Sequence, residues 1–456
     1  MSLRTYLKES DMVYQTTIDP KGPGVVRIHL VPPKKIVDGL PWIVIINGFR
    51  ILPILTSYAV LLKEFILTYN TYNYNYYDNE QLDEILDEIV RNVKKIYSDA
   101  KEADILEDLK EMLKTIIDIG TKPNAEFKEV GNFSLNQYNK YMHAPLRMDL
   151  MVSTMEKDGV YNCNQKCVHC YAFNEKLSNE NELDTDSWFK IIDKLKEERV
   201  PQITFTGGEP TLRSDLVELV EHSKWFITRL NTNGILLTKS LCRDLYDAEL
   251  DNVQITFYSS NMDIHNKLVG GNHYLETLGG IKNALDAKLD VSINTPICSL
   301  NKDYKSTIEF LSKLGIKYFT CSGLIPTGNT NSEESKELAI SKEELLQSLD
   351  EALEYAKANE LDIQFTSPGI IDEIELEKRN LIVPSCGAGV SNMAILPNGV
   401  VIPCQSWLKG EELGSIIDLK WKKIWNNSTC KKIRKKASKE SNVCLLRGGN
   451  LWKRLL

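Results

Sequence analysis

Cys163, Cys167 and Cys170 lie in the run YNCNQKCVHCY (161–171), a C-x3-C-x2-C triplet with Tyr171 directly after its last thiol. Three thiolates on one short loop can hold three irons of a [4Fe–4S] cube, because soft sulfur ligands suit iron–sulfur clusters. The fourth iron of such a cube keeps an open position. A closed zinc site or a disulfide pair is the competing reading of the same residues. Structural zinc sites close with a fourth ligand at C-x2-C or H-x3-H spacing, and His169, inside the loop, has no matching partner at such spacing. A disulfide needs an oxidising compartment, of which the sequence gives no sign.

Downstream, Thr206-Gly207-Gly208-Glu209-Pro210 follows the β-rich run QITFT (202–206). Its glycines allow close backbone approach to a ligand, and Glu209 adds an acceptor. Four further polar segments each end a strand candidate: LNTNG (230–234), ITFYSSNMDIHNKLVGG (255–271), SINTP (292–296) and IPTGNT (325–330).

The cysteine spacing, the GGEP turn and the order of these strand-end segments resemble the radical S-adenosylmethionine (SAM) superfamily. The resemblance implies that Cys163, Cys167 and Cys170 hold a [4Fe–4S] cluster whose open iron binds the amino and carboxylate groups of SAM. It gives Gly207, Gly208, Glu209 and Pro210 the methionine amino group, and Pro326 and Gly328 the adenine. Tyr171, Asn231, Asn233, Thr256 and Asn294 complete the implied SAM contacts. Thr256 stands where the family has serine, and Tyr258 and Asn266 stand where it has aspartates, so no carboxylate role carries over there. In such enzymes an electron from the cluster cleaves SAM to methionine and a 5′-deoxyadenosyl radical, which removes a hydrogen atom from the substrate.

These segments need a scaffold that brings strand ends together. Strand candidates fall at 146–152, 202–206, 226–231, 253–258, 290–296 and 317–324, with helical patterns at 184–198, 214–224, 238–248, 273–287 and 302–314. Repeated βα units predict a parallel sheet with right-handed crossovers. The fold class expected is α/β, an open (β/α)6 partial barrel over 145–330 with its site at the C-terminal strand ends. A short insert, MEKDGVYN (155–162), lengthens the loop ahead of the cysteines.

Residues 1–120 read as a separate unit: β-rich runs at 25–31 and 41–54, the second with the Asn47-Gly48 turn signal, then helices at 57–69, 81–99 and 105–119. Hairpin followed by three helices resembles the winged-helix-like PqqD fold, a peptide-recognition element. TYNTYNYNYYDNE (68–80) reads as a solvated loop between two helices, and 121–144 as a linker.

After a helical bridge (331–380), residues 381–456 carry Cys386 and Cys404 in a C-x12-G-x4-C pattern around Gly399. This resembles the opening of a SPASM domain, but the dense cysteine run that should follow is missing, and only Cys430 and Cys444 remain. The expectation is a shortened SPASM or Twitch-like domain with one auxiliary [4Fe–4S] cluster on Cys386, Cys404, Cys430 and Cys444, or an empty remnant. Cys242, Cys298 and Cys321 read as buried small hydrophobes.

A net charge of −8 argues against a nucleic-acid partner, and the N-terminus MSLRTYLKES has no signal-peptide core. The apolar stretch 40–67 is interrupted by charged residues and reads as non-spanning. Ten cysteines without a signal suit metal chemistry in a reducing cytoplasm. Together with the resemblance, these readings lead to a cytoplasmic enzyme that modifies a ribosomally made precursor peptide. Its N-terminal domain would bind the leader segment by strand addition, and flavodoxin or ferredoxin would supply electrons. A thioether is favoured over a carbon–carbon crosslink or an epimerisation. The alternatives are a sulfatase-maturase-like or cofactor-biosynthetic enzyme of the same superfamily, and a non-catalytic peptide-binding scaffold.

Overall fold

The computed structural model describes Leu3, Tyr6 and residues 14–18, 26–33, 41–47, 50–72, 79–121, 142–157, 160–173, 182–325, 337–408, 410, 412–440 and 442–446. Two compact units divide the chain, Met1–Met142 and His143–Leu456. Most of the expected linker at 121–144 lies outside the described residues.

In the first unit, strands β1 (Tyr14–Ile18), β2 (Val26–Val31), β3 (Trp42–Ile46) and β4 (Arg50–Ile54) form an antiparallel sheet in that order. Helices α1 (Thr56–Thr71), α2 (Asn79–Lys94) and α3 (Glu102–Thr121) follow. The hairpin of β3 and β4 and the three helices match the expectation, whereas β1 had no recognisable sequence signal. Helix α1 runs to Thr71 and α2 starts at Asn79, so the ends of the polar-aromatic stretch are helical rather than loop. Asn47 adopts φ 49°, the left-handed conformation its turn requires. Its side chain accepts from Arg27 N at 2.8 Å and donates to Gly120 O at 2.9 Å, tying the turn to β2 and to the end of α3. The core joins Ile28, Leu30, Trp42, Val44 and Ile46 of the sheet to Leu62, Ile66, Ile89, Leu109 and Ile116 of the helices.

The second unit is built on β5 (Arg147–Ser153). The insert behind it folds into a small hairpin, β6 (Glu156–Lys157) with β7 (Val160–Tyr161), which absorbs the extra loop length before the cysteines. Then α4 (Thr185–Glu197), β8 (Gln202–Gly207), α5 (Leu216–His222), β9 (Ile227–Thr232), α6 (Lys239–Asp247) and β10 (Asn252–Thr256) alternate. Helices α7 (Met262–Val269) and α8 (Tyr274–Asp286) precede β11 (Val291–Ile297), and α9 (Tyr304–Ser312) leads to β12 (Tyr318–Gly323). Strands β5, β8, β9, β10, β11 and β12 lie side by side in chain order, all parallel, as expected for the open partial barrel. Caps start the crossovers where the sequence supplies them: Asp184 accepts from Ser187 N, Thr238 from Leu241 N and Asp303 from Ser306 N.

Two extensions of this sheet were not read from the sequence. Helix α10 (Lys342–Ala358) leads to β13 (Asp362–Phe365), a seventh parallel strand beside β12. Beyond α11 (Glu373–Glu377), strand β14 (Asn392–Ile395) pairs parallel with β5, and β15 (Val400–Ile402) and β16 (Gly414–Ser415) continue antiparallel. The C-terminal segment is therefore an extension of the barrel sheet itself, completed by α12 (Trp421–Trp425) and α13 (Ser428–Lys439). Along β10 and β11 the apolar side chains Val253, Ile255, Val291 and Ile293 are buried, while Gln254, Thr256 and Asn294 between them stay partly exposed. The other face of the sheet is thus polar. Among the described residues, no helix is long and apolar enough to cross a membrane.

Candidate active site

The cysteine loop is held from three sides. Lys166 N and Val168 N donate to Val269 O and Leu268 O, both at 3.1 Å, which seats the loop on the end of α7. Gly270 caps that helix at φ 67°, and a Cβ there would meet Lys166 O at 2.2 Å, so only glycine permits the seat. On another side, Asn233 Nδ2 donates to Asn164 Oδ1 at 2.6 Å. On the third, Glu182 accepts from Thr154 N at 2.9 Å and from Asn162 Nδ2 at 3.1 Å, just ahead of Cys163. The strand-four segment HNKLVGG thus supports the loop that carries the thiols.

Cys163, Cys167 and Cys170 are each partly buried and unbridged. Burial pushes the Cys167 thiol well up, and the neighbouring sulfurs of Cys170 and Cys163 add to the shift. Burial raises the Cys170 thiol as well. Three crowded, desolvated sulfurs are poor places for bare negative charge, and a cationic iron cluster removes that penalty. Among the described residues, no three His, Cys, Asp or Glu side chains converge on one point suited to a single ion. A cube needs no such point, because each thiolate ligates a different iron. The donor set therefore fits a [4Fe–4S] cluster.

The GGEP turn sits against this loop. Gly207 and Gly208 are required less by a ligand than by β5: added Cβ atoms would meet Ser153 O and Thr154 O, each at 2.5 Å. Gly208 N also donates to Ser153 O at 2.9 Å. Glu209 is only 1% exposed and spends its carboxylate on the protein. Oε1 accepts from Thr211 N, Thr211 Oγ1 and Thr232 Oγ1 at 3.0, 2.6 and 2.7 Å, and Oε2 accepts from Asn233 N at 2.8 Å. Burial raises its pKa, and these hydrogen bonds pull the other way. Glu209 thus locks the GGEP turn to the end of β9, with Oε2 accepting a single bond. Pro210 begins the 3-10 turn that Glu209 caps.

Asn231 opposes Gln254 across β9 and β10, and Thr256 opposes Asn294 across β10 and β11, so all four share the polar face of the sheet. Asn294 Oδ1 accepts from Thr320 Oγ1 at 3.0 Å. Pro326 and Gly328 lie outside the described residues. Burial, and then the Cys170, Asp149 and Cys404 side chains, push the Tyr171 hydroxyl well above its usual pKa.

Three contributors were missed in the sequence. Arg213, 9% exposed, binds Asp215 through Nε and Nη2 at 2.8 and 2.6 Å and donates to Val152 O and Leu183 O. It also lies 3.9 Å from Glu182, so one guanidinium ties the end of β5, the approach to α4 and the GGEP turn together. Its position directly after the GGEP-Thr-Leu run was the available signal. The other two are His169 and Tyr258, whose side chains meet at 3.0 Å, Nε2 to OH. The signal there was an aromatic residue at a position where the family has aspartate. Burial lowers the His169 pKa to about 4, so the ring is neutral.

In the C-terminal segment, Cys386, Cys404 and Cys444 are electrostatic neighbours, and burial followed by the other thiols raises Cys404 strongly. Cys430 is not with them. It is fully buried on α13, its sulfur accepting from Arg434 Nη1 at 3.5 Å, with Arg434 stacked 3.8 Å over Trp425. The expected four-cysteine set becomes three, because the helical position of Cys430 turns it into the core. Cys242, Cys298 and Cys321 are buried as expected.

Comparison with known proteins agrees with this geometry. The profile of the Radical SAM superfamily matches residues 160–311, and that of the iron-sulfur cluster-binding SPASM domain matches residues 386–445. Residues 160–311 are therefore similar to a radical SAM domain and residues 386–445 to a SPASM domain. The first implies a [4Fe–4S] cluster and SAM, and the second implies auxiliary iron–sulfur binding. A PqqA peptide cyclase of Bradyrhizobium diazoefficiens is 38% identical over 112 residues, which span 24% of this chain and 30% of that protein's length. Streptococcus suis SuiB bound to its precursor peptide SuiA superposes with TM-score 0.56 at 17% identity, covering 87% of this chain and 89% of that one. The structure of anSMEcpe with bound AdoMet gives TM-score 0.52 at 17% identity over 65% of this chain and 81% of that one. At these identities the structural likeness establishes the fold.

Proposed function

We propose that the chain is a radical SAM enzyme that modifies a ribosomally made precursor peptide. The observation that carries this reading is the cysteine loop. Its three thiols stand at the C-terminal ends of the parallel strands, braced by the GGEP and TNG segments over a polar sheet face. The likeness to a peptide cyclase and to an enzyme solved with its precursor peptide supports the substrate class. Cys163, Cys167 and Cys170 would hold the SAM cluster, and Cys386, Cys404 and Cys444 would hold an auxiliary one. When bound, the reduced cluster and SAM supply a 5′-deoxyadenosyl radical that takes a hydrogen atom from the substrate, and an auxiliary cluster supplies an acceptor for the electron left over.

The chain's own residues position and shield. The strand-end backbone at Gly207 and Gly208 offers carbonyls to an ammonium group, beside the Glu209 carboxylate. Asn231, Thr256 and Asn294 offer amides and a hydroxyl to ribose and base. The antiparallel sheet of the first unit offers an edge for the leader peptide, with flavodoxin or ferredoxin as the electron source and the cytoplasm as the setting. Among products, a thioether from a peptide cysteine is preferred to a carbon–carbon crosslink or an epimerised residue.

Coexpression with the short peptides encoded beside the gene, read by mass spectrometry, tests the reading. A crosslink removes two hydrogens from the peptide. Deleting residues 1–142 should abolish leader binding and modification while SAM cleavage persists. Peptide binding and turnover that survive the deletion would refute leader recognition by the first unit and favour another protein substrate.

A further inference from the structure

Residues 420–439 run against the charge of the rest of the chain. They hold eight lysines, Arg434 and no carboxylate, which gives them +9 in a protein whose net charge is −8. Seven of the lysines are exposed and Lys436 is half-buried, and among the described residues none of the eight forms an ion pair. On α13 the lysines at 431, 432, 435, 436 and 439 fall within an arc of about 140°, at 3.6 residues per turn. Cys430, Ile433, Arg434 and Ala437 fill the opposite arc and are buried. The cationic face is therefore one continuous side of the helix.

Arg434 anchors that helix from its inner side. Its Nη1 donates to Gly389 O at 3.4 Å and its Nη2 to Trp425 O at 2.9 Å, which also ties α13 to α12. Gly389 N in turn donates to Pro403 O at 2.9 Å. A Cβ on Gly389 would lie 3.7 Å from Ile433 Cγ2 and 3.8 Å from Cys430 O, so the helix packs directly on this backbone. Gly389 follows Cys386 by three residues and Pro403 precedes Cys404. The lysine face thus covers the segment that carries the second group of thiols.

Lys431, Lys435 and Lys439 stand four apart, as do Lys432 and Lys436, a spacing at which like charges destabilise a helix. An acidic partner relieves that repulsion. Lysine is depleted from the cores of stable interfaces, so such a face suits a transient partner steered by charge. Electron-transfer encounters belong to this small, transient class. We propose that the lysine face of α13, extended by Lys422 and Lys423 of α12, docks an acidic one-electron carrier protein. One electron leaves the reduced carrier and enters the chain's iron–sulfur centre, and no bond forms or breaks. The proposal rests on the reading of the chain as a radical SAM enzyme, whose chemistry draws an electron from outside.

The test uses the full-length reconstituted holoenzyme and a purified bacterial flavodoxin, with an acidic ferredoxin in parallel. Calorimetry at low salt should show binding of a carrier that weakens as salt is added. The triple change Lys432→Glu, Lys435→Glu and Lys436→Glu should weaken that binding by about tenfold or more. It should raise the KM for the carrier in SAM cleavage by a similar factor, with iron content and dithionite-driven cleavage unchanged. Binding of neither carrier, or undiminished binding by the triple variant, overturns the proposal. So does a variant that keeps carrier binding and loses affinity for the precursor peptide, which would assign the face to the substrate. Should the triple variant lose its iron or its dithionite-driven activity, the same three positions changed to Gln decide by the same binding measurement. No dithionite-driven cleavage by the unaltered, iron-loaded protein would instead strike the enzyme reading itself.

Discussion

The two groups of thiols differ in how their positions are specified. Cys163, Cys167 and Cys170 share eight residues of one loop, and their spacing alone places them together. Cys386, Cys404 and Cys444 are spread over 59 residues, and Cys386 and Cys404 flank the strands β14 and β15 that extend the barrel sheet beside β5. Cys430, within the same span, is carried into the core by its helix. A local set is legible as chemistry, and a dispersed set becomes legible only through topology. The first group nevertheless packs against the strands of the C-terminal extension: Met151, Met155, Ala172, Ala394 and Ile402 form one apolar cluster against which Cys163, Cys170 and Tyr171 pack.

Substitutions should separate the groups in order of effect. The triple change Cys163/Cys167/Cys170→Ala should abolish SAM cleavage and remove about four irons per chain. Cys404→Ala should preserve SAM cleavage but lose the auxiliary iron. Cys430→Ala should keep all iron and cost only stability, about 1–3 kcal/mol for a buried small side chain that also accepts from Arg434. Iron analysis of the three variants checks the division, and iron loss in Cys430→Ala would restore the four-cysteine set.

Smaller effects probe the scaffold that holds the first group. Arg213→Met leaves Glu182 and Asp215, 11% and 14% exposed, without their cation. Breaking a buried pair in this way costs about 3–5 kcal/mol, read as a lower urea midpoint. His265, fully buried beneath Tyr258, has its pKa lowered to about 4, first by burial and then by His273. The unfolded chain binds that proton more readily, so the contribution is complete above about pH 6.5 and fades as pH falls toward 4. His265→Phe should flatten that part of the stability profile, and an unchanged acid slope would show that other groups set it.

The barrel strands were legible because apolar runs such as QITFT alternate with capped helices at regular spacing. The short strands β1, β13 and β14 were not, since edge and extension strands of four or five residues carry little pattern of their own. Motif residues were found more easily than their duties. Glu209 was readable as an acceptor, yet its four donors belong to the protein. Gly207 and Gly208 were readable as sites of close approach, and the approaching group proved to be β5. Arg213 and Tyr258 act through partners 31 and 89 residues away, on Glu182 and His169, which no spacing rule reveals.

The most direct test of the central claim is SAM turnover by the anaerobically reconstituted, chemically reduced full chain. 5′-Deoxyadenosine should form in the unaltered protein and vanish with Cys163/Cys167/Cys170→Ala. An iron-loaded, reduced protein that produces none would contradict the account.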